Sequence, residues 1–201
     1  MNAQKTAEKE RSGLQVTLIG LKLLLICAII AGLVSFVFSL TNDVYLENLK
    51  GTKELAVGRI FTGEEKRLPY EKIGGDADAT VSAVYDGDAL LGYCVEVTTA
   101  GFGGDIELMI GYNADQSIRG VEVVGHTETP GLGSKSADKD YLSAYKGLSG
   151  ELAAGDGEGE IDMISGASVT SGAVLAGVNR ATASLEAALA ANANGEGGTV
   201  Q

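Results

Sequence analysis

The sequence contains few cysteines, histidines, prolines and basic residues, and each shortage excludes a class of protein. Its 201 residues include two Cys, two Pro, one His and no Trp, and 27 acidic residues outnumber 15 basic ones. Two Cys and one His are too few for a disulfide framework or for a zinc or iron-sulfur centre within this chain. A net charge of -12 excludes nucleic acid as a partner, because phosphate binding needs a basic face. Its 29 glycines and 45% hydrophobic residues indicate a compact protein with many turns.

One long apolar run lies near the N-terminus. Residues 23–40 contain no charged side chain, and the apolar stretch begins at Leu14 if Lys22 extends to the membrane surface. The run is long enough to cross a bilayer, and the residues after it lack the small-residue cleavage site of a signal peptide. We therefore expect an uncleaved transmembrane helix over residues 14–40, preceded by a cytoplasmic N-terminus of residues 1–13.

Basic residues lie closer to the N-terminal end of this run than to its C-terminal end. Because such a bias sets orientation, we expect the domain that follows to lie on the extracytoplasmic side. That part, residues 41–201, has 11 basic and 25 acidic side chains, a net charge of 11 - 25 = -14. Cys27 follows Ile26 in mid-run, which favours a lipid-facing or helix-packing side chain over a lipidated one. The basic residues before the run are Lys5, Lys9, Arg11 and Lys22, and those after it begin with Lys50, Lys53 and Arg59.

The pattern after the apolar run changes from helical to strand-like. Residues 41–75 predict a juxtamembrane helix followed by a loop. From Ala79 onward, apolar residues alternate with polar ones in segments separated by turns at 86–88, 101–104 and 113–117. Strands in this order form an antiparallel meander, which can bury one face against helices and leave the other in water.

Two helices are predicted after the meander. Residues 136–147 carry apolar and aromatic side chains every four positions, which predicts a short surface helix, and residues 149–161 form a Gly- and Glu-rich loop. A longer amphipathic helix begins near Ser168, and we expect an α+β fold with a disordered tail at 192–201. The apolar residues of the longer helix, spaced by three or four, are Val174, Val178, Ala181, Leu185 and Leu189.

The start of this longer helix has an unusual composition. Asp162 is followed by four small residues from Ser165 to Ser168, which let a large planar or phosphorylated group approach the backbone. A helix start also supplies unpaired N–H groups and a positive dipole end, so an anion is expected there. The alternative is an ordinary helix start with Ser168 as the N-cap, and the local pattern alone favours that alternative.

A second segment, from His126 to Gly133, follows the last predicted strand. Its sequence, His-Thr-Glu-Thr-Pro-Gly-Leu-Gly, combines one proline of fixed torsion with glycines that permit positive φ. The loop is therefore sharp and stiff, with backbone groups available to a ligand. Taken alone, the segment is a strand-to-helix turn.

The first segment resembles the flavinylation sequence Asp-x-x-Ser/Thr-Gly-Ala-Thr/Ser found in the G subunit of the Rnf electron transport complex and in its relative, the C subunit of the sodium-translocating NADH:quinone reductase. In that family a flavin transferase cleaves FAD and leaves FMN joined through its phosphate to the hydroxyl that closes the motif. The resemblance implies FMN on Ser168. The family usually has Thr there, so Thr170 is the runner-up attachment site. The residues read by the transferase or packed around the phosphate would be Asp162, Ser165, Gly166 and Ala167.

The second segment is similar to the His-x-Glu-Thr-Pro-Gly-Leu-Gly sequence of the same family. His126 would tune the flavin or satisfy a buried hydrogen bond. The resemblance covers residues 14–190 and implies an FMN-binding domain at 76–191, after a juxtamembrane segment. The residues implied to line the flavin are Glu128, Thr129, Leu132 and Gly133.

The resemblance implies electron relay within a membrane complex. In the family, the complex moves electrons between reduced ferredoxin and NAD while transporting sodium ions or protons, and a tethered flavin suits relay between fixed partners. The implied partners are the other membrane subunits, one bearing another covalent flavin, and a flavin transferase for maturation. We expect no independent catalytic turnover and no bound metal. The alternative function is a membrane-tethered binding module without a cofactor, which explains the anchor and charge but not the presence of both motifs.

Overall fold

The computed structural model of the protein describes residues 2–157 and 159–193. Contacts divide the chain into two units, Met1–Leu49 and Lys50–Gln201. The disordered tail expected at 192–201 lies outside the described residues from position 194 onward, and its first two residues end the last helix.

The first unit is formed by helix α1, which spans Asn2–Thr62 and continues into the second unit. Within α1, Leu18–Asn42 has a mean hydropathy of 2.8 and is 0% buried. Among the described residues, this is the one segment long and apolar enough to cross a membrane, and it overlaps the span expected at 14–40. Cys27 lies within it and is exposed.

The second unit is built on a five-stranded antiparallel sheet in the order β1-β2-β3-β4-β5. The predicted meander and α+β class are confirmed. The first strand was not predicted, since its segment was expected to be loop. It has two large apolar side chains, and it becomes a strand by pairing with the next one. The strands are β1 (Tyr70–Gly75), β2 (Ala79–Asp86), β3 (Ala89–Ala100), β4 (Asp105–Tyr112) and β5 (Ile118–His126).

One face of the sheet packs against the last helix of the described chain. That helix, α3, spans Ser168–Ala193. Gly177 allows the close approach, because a Cβ there would lie 2.5 Å from Leu108 Cδ1. The predicted apolar stripe of α3 is confirmed: Val174, Val178, Ala181 and Leu185 are buried, and Leu189 is partly buried.

The opposite face of the sheet, which a meander can leave in water, is also covered. Residues 50–62 of α1 supply apolar side chains that pack on this face and form a second hydrophobic cluster with it. Because side chains alternate between the two faces of a strand, the strands carry apolar residues on both faces of the sheet. The periodicity of the meander did not reveal this cover, because the helical residues that form it lie well before the meander in sequence. The buried members of the cluster are Ala56, Val57, Phe61, Leu68, Val84, Cys94 and Met109.

The chain between β5 and α3 does not form the single surface helix that we expected. It forms a 3-10 turn (Gly133–Ala137), a short helix α2 (Lys139–Leu142) and a second 3-10 turn (Ser143–Tyr145). Asp138 is extended, with φ -68° and ψ 138°, and this interrupts the helix. The segment is not a surface one either, because Tyr145 is 0% exposed.

Candidate functional site

The two segments singled out in the sequence meet at one cleft. It has a volume of about 160 Å³ and is open to solvent. Of the residues given a role from the sequence, Asp162, Ser165 and His126 lie outside its lining, and all three are exposed. The lining residues are Phe102, Glu128, Thr129, Leu132, Gly133, Gly166, Ala167, Ser168, Val169 and Thr170.

Glu128 joins three segments of the chain at the base of the cleft. Its Oε1 accepts hydrogen bonds from the backbone N–H groups of Phe102, at 2.7 Å, and Gly103, at 2.9 Å. Its Oε2 accepts a hydrogen bond of 3.0 Å from the hydroxyl of Thr170. The carboxylate is 6% exposed, so these three donors replace most of its contact with water. Glu128 thus holds the β3–β4 loop and the first turn of α3 in place.

The hydrogen bonds also determine the charge state of Glu128. Burial alone acts to raise the pKa of its carboxyl group. The Gly103 amide, the Thr170 hydroxyl, the Phe102 amide and the nearby charge of His126 act in the opposite direction and outweigh it. The pKa of Glu128 is therefore lower than usual, and the base of the cleft has a negative charge at neutral pH.

Glycine is required where the chain packs around this carboxylate. A Cβ at Gly133 or at Gly101 would collide with the Glu128 carboxylate oxygens. At the rim, Gly166 has φ +82°, which L side chains rarely adopt, and a Cβ there would lie 3.3 Å from Leu132 Cδ1. The glycines on both sides of the cleft thus keep its walls close to Glu128 without obstructing its opening.

The hydroxyl groups in the first turn of α3 differ in accessibility. Ser168 is exposed on the cleft, whereas Thr170 is 2% exposed and donates to Glu128. Ser171 is 0% exposed, and its hydroxyl donates a hydrogen bond of 3.0 Å to the Ala167 carbonyl. Of these three hydroxyls, only that of Ser168 is open to a large reactant.

His126 lies beside the cleft but does not line it. Its Nδ1 accepts a hydrogen bond of 3.2 Å from the backbone N–H of Glu128, and the side chain is exposed. The histidine therefore satisfies a hydrogen bond of the loop, one of its two expected roles, although at an exposed rather than a buried position. It also lines a smaller adjoining cavity together with Ser136, whose buried hydroxyl has no partner among the described residues.

Two apolar residues of the cleft were missed by the sequence analysis. The Phe102 side chain is 75% exposed and that of Val169 is 59% exposed, unusually open positions for large apolar groups. The signal for Phe102 was present, because it lies within the glycine cluster that we interpreted only as a turn. Because its neighbours are glycines, the Phe102 ring is exposed and can contact a ligand.

The comparison with known families bears on the part of the chain that forms this cleft. Residues 101–183 match the family model described as an FMN-binding domain. The match includes both sequence segments, the β3–β4 loop and the first turns of α3, so every lining residue of the cleft lies inside the matched region.

Similar proteins include named subunits of ion-translocating complexes, which confirms the resemblance inferred from the motifs. The G subunit of the Na(+)-translocating ferredoxin:NAD(+) oxidoreductase complex of Acetobacterium woodii is 32% identical over 123 residues, covering 54% of this chain and 57% of that protein. The G subunit of the ion-translocating oxidoreductase complex of Cereibacter sphaeroides is 36% identical over 117 residues, covering 52% and 53%. The chain spans about half the length of these curated relatives.

Among solved structures, the crystal structure of Shewanella oneidensis NqrC is similar to this chain. It has 28% sequence identity and a TM-score of 0.42, and the match covers 50% of this chain and 54% of that one.

Proposed function

We propose that the protein is an electron-carrying subunit of a membrane-bound, ion-translocating oxidoreductase of the ferredoxin:NAD type, with FMN attached to Ser168 through a phosphoester. The FMN-binding domain supports the cofactor, and the names of the relatives support the complex. The apolar segment Leu18–Asn42 supports a single membrane anchor.

The observation that carries the attachment site is the difference between two hydroxyls in one helical turn. Ser168 is exposed on the cleft, and no hydrogen bond to its hydroxyl is found among the described residues. Thr170, the runner-up site, is buried, and its hydroxyl is already bonded to Glu128. A modification of Thr170 would break that bond and bring a bulky group into the core, so the structure favours Ser168.

The residues around Ser168 fit a flavin phosphate and its ring system. Gly166 and Ala167 have little or no side chain, and the first N–H groups of a helix are suited to an anion. Phe102 and Leu132 expose apolar surface on the same cleft, where a planar ring can lie against them. When bound there, FMN supplies one- and two-electron transfer. The chain binds and orients the group and leaves one side open to a partner.

Attachment requires a second protein, which we propose is a flavin transferase. The Ser168 oxygen forms a bond to the phosphorus of the FMN half of FAD, the pyrophosphate bond breaks, AMP leaves, and the hydroxyl loses its proton. Asp162 and Ser165 are exposed and lie outside the cleft lining, so an enzyme can contact them while Ser168 reacts. Their positions support the transferase-recognition role that the motif implies.

The membrane position follows from the charges that flank the apolar segment. Lys5, Lys9 and Arg11 precede it and Lys22 lies near its N-terminal end, whereas the first basic residue after it is Lys50. We infer that the N-terminus is cytoplasmic and that the FMN-binding domain lies on the extracytoplasmic side. There the tethered flavin passes electrons between the other membrane subunits of the complex, and no soluble substrate is turned over.

The test is to isolate the full chain from membranes of cells that also produce a flavin transferase. After denaturation in detergent, we expect the protein band on a gel to show flavin fluorescence. Mass spectrometry should find the peptide that contains Ser168 heavier by one FMN. A colourless protein with unmodified Ser168 and Thr170 would overturn the proposal and favour the binding module without a cofactor.

A further inference from the structure

A second cavity, separate from the flavin cleft, lies between the C-terminal turn of α1, β5 and the α2 segment. It has a volume of about 360 Å³, is open to solvent, and shares no lining residue with the flavin cleft. Its charged lining residues are Arg59, Glu65, Arg119, Glu122, Lys139 and Lys146.

The charge of this cavity is opposite to that of the surrounding chain. Four basic and two acidic side chains line it, which gives 4 - 2 = +2. Residues 41–201 as a whole have 11 basic and 25 acidic side chains, a net charge of -14. More than a third of the basic residues in this acidic region therefore line one concavity. Such an arrangement concentrates positive potential inside the cavity and attracts an anion.

Arg119 is held in a fixed position at this cavity. Its Nη1 donates to Asn113 Oδ1 at 3.1 Å, its Nη2 donates to the Phe61 carbonyl at 2.8 Å, and its guanidinium lies 5.1 Å from the centre of the Phe61 ring. A guanidinium has five N–H donors, so donors remain for a ligand. Because the group is already ordered, a ligand would bind it with little further loss of side-chain entropy.

The two lysines provide mobile charges beside this fixed one. Lys139 and Lys146 are exposed, and no partner for either ammonium group is found among the described residues. Arg59 is compensated, because its Nη2 lies 3.3 Å from Glu122 Oε2. The basic groups of the cavity without an ion-pair partner among the described residues are thus Arg119 on β5, Lys139 at the start of α2 and Lys146 just after the second 3-10 turn. Together with the Glu65 carboxylate they give the net charge of +2.

We propose that this cavity binds a phosphate-type anion, held by Arg119 together with Lys139 and Lys146. A guanidinium fork with two ammonium groups matches the several oxygens of a phosphate group. The site is concave, which favours a small group over the flat surface of a protein partner. The anion can come from free phosphate or from an anionic phospholipid headgroup, and the chemistry at the protein is the same for both.

The test compares the full chain with the double variant Lys139→Gln/Lys146→Gln, and Lys72→Gln, an exposed lysine on β1, is the matched control. Binding of inorganic phosphate is measured by calorimetry in detergent. The lipid source is measured by adding glycerophosphoglycerol, and by comparing nanodiscs that contain phosphatidylglycerol with nanodiscs of phosphatidylcholine. We expect saturable binding that weakens about tenfold or more in the double variant and is unchanged in Lys72→Gln.

Each outcome supports or overturns the anion site. Binding of inorganic phosphate that is lost in the double variant supports a free anion, and a loss seen only with phosphatidylglycerol or its headgroup supports the lipid source. Phosphate held at the flavin cleft would not respond, because the double variant leaves every lining residue of that cleft unchanged. No saturable binding, equal binding by wild type and double variant, or capture of an acidic protein alone would overturn the proposal.

Discussion

The Thr170 hydroxyl donates a hydrogen bond of 3.0 Å to Glu128 Oε2, across 42 positions of the chain. This bond connects the two segments that the sequence analysis had linked only by resemblance. It also changes the role of Thr170, because the hydroxyl supports the base of the cleft and is not free to carry a cofactor. Ser168, two positions earlier, remains exposed for attachment.

The first prediction separates these two hydroxyls. We expect Ser168→Ala to abolish covalent flavin and Ser168→Thr to retain it, because threonine keeps an exposed hydroxyl at the same position. Thr170→Ala should keep the flavin but lower the free energy of unfolding by about 1–3 kcal/mol, since Glu128 loses a donor. Flavin fluorescence of the denatured protein and urea unfolding measure the two effects. Loss of flavin in Thr170→Ala, with retention in Ser168→Ala, would reverse the assignment.

The second prediction concerns pH and Glu128. Because the pKa of its carboxyl group is lower in the folded state than in the unfolded chain, its contribution to stability is complete above the ordinary Glu pKa of about 4.3. That contribution is lost as the pH falls through the lowered, folded-state value. Urea midpoints measured between about pH 3 and pH 7 should therefore fall more steeply in wild type than in Glu128→Gln.

Glu128→Gln is an informative comparison because it keeps the shape of the side chain. The pKa values of Asp76 and Asp115 are also lowered, by hydrogen bonds within their own turns, and both groups remain in the variant. The difference between the two curves therefore reports on Glu128 alone. Parallel curves would mean that the carboxylate has no special stabilisation at the base of the cleft.

The third prediction uses two glycines of α3 that meet different surroundings. A Cβ at Gly172 would have no atom within 4 Å, whereas one at Gly177 would lie 2.5 Å from Leu108 Cδ1. Gly172→Ala should raise the free energy of unfolding by about 0.5–1 kcal/mol through helix propensity. Gly177→Ala should lower it by about 1–3 kcal/mol through overpacking. Thermal unfolding of both variants tests the pair, and equal shifts would contradict the packing of α3 on the sheet.

The sequence predicted most of the fold but only part of its packing. The meander and α3 follow from local periodicity, which is visible in a single sequence. Strand β1 forms by pairing with β2, and the sheet face at Met109 is covered by the C-terminal part of α1. Both depend on contacts between separate segments, which periodicity does not reveal. The site residues came from the motifs, whereas the resemblance gave no reason to name Phe102.

The distinction between Ser168 and Thr170 shows what a motif leaves out. Residues two positions apart in an α-helix lie about 200° apart around its axis, so an exposed Ser168 and a buried Thr170 are compatible with the same helix. Val174, one helical turn after Thr170, lies on the same buried side. The sequence gave two candidate hydroxyls, and only the packing of α3 shows which one faces the core.

The folding unit of the second part of the chain begins inside α1 rather than after it. Ala56, Val57 and Phe61 cover the sheet face that contains Cys94 and Met109. A shortened chain made to avoid the apolar segment must therefore start near residue 50, where the second unit begins. If the chain were cut at residue 76, that face would be open to water, and such a surface promotes self-association.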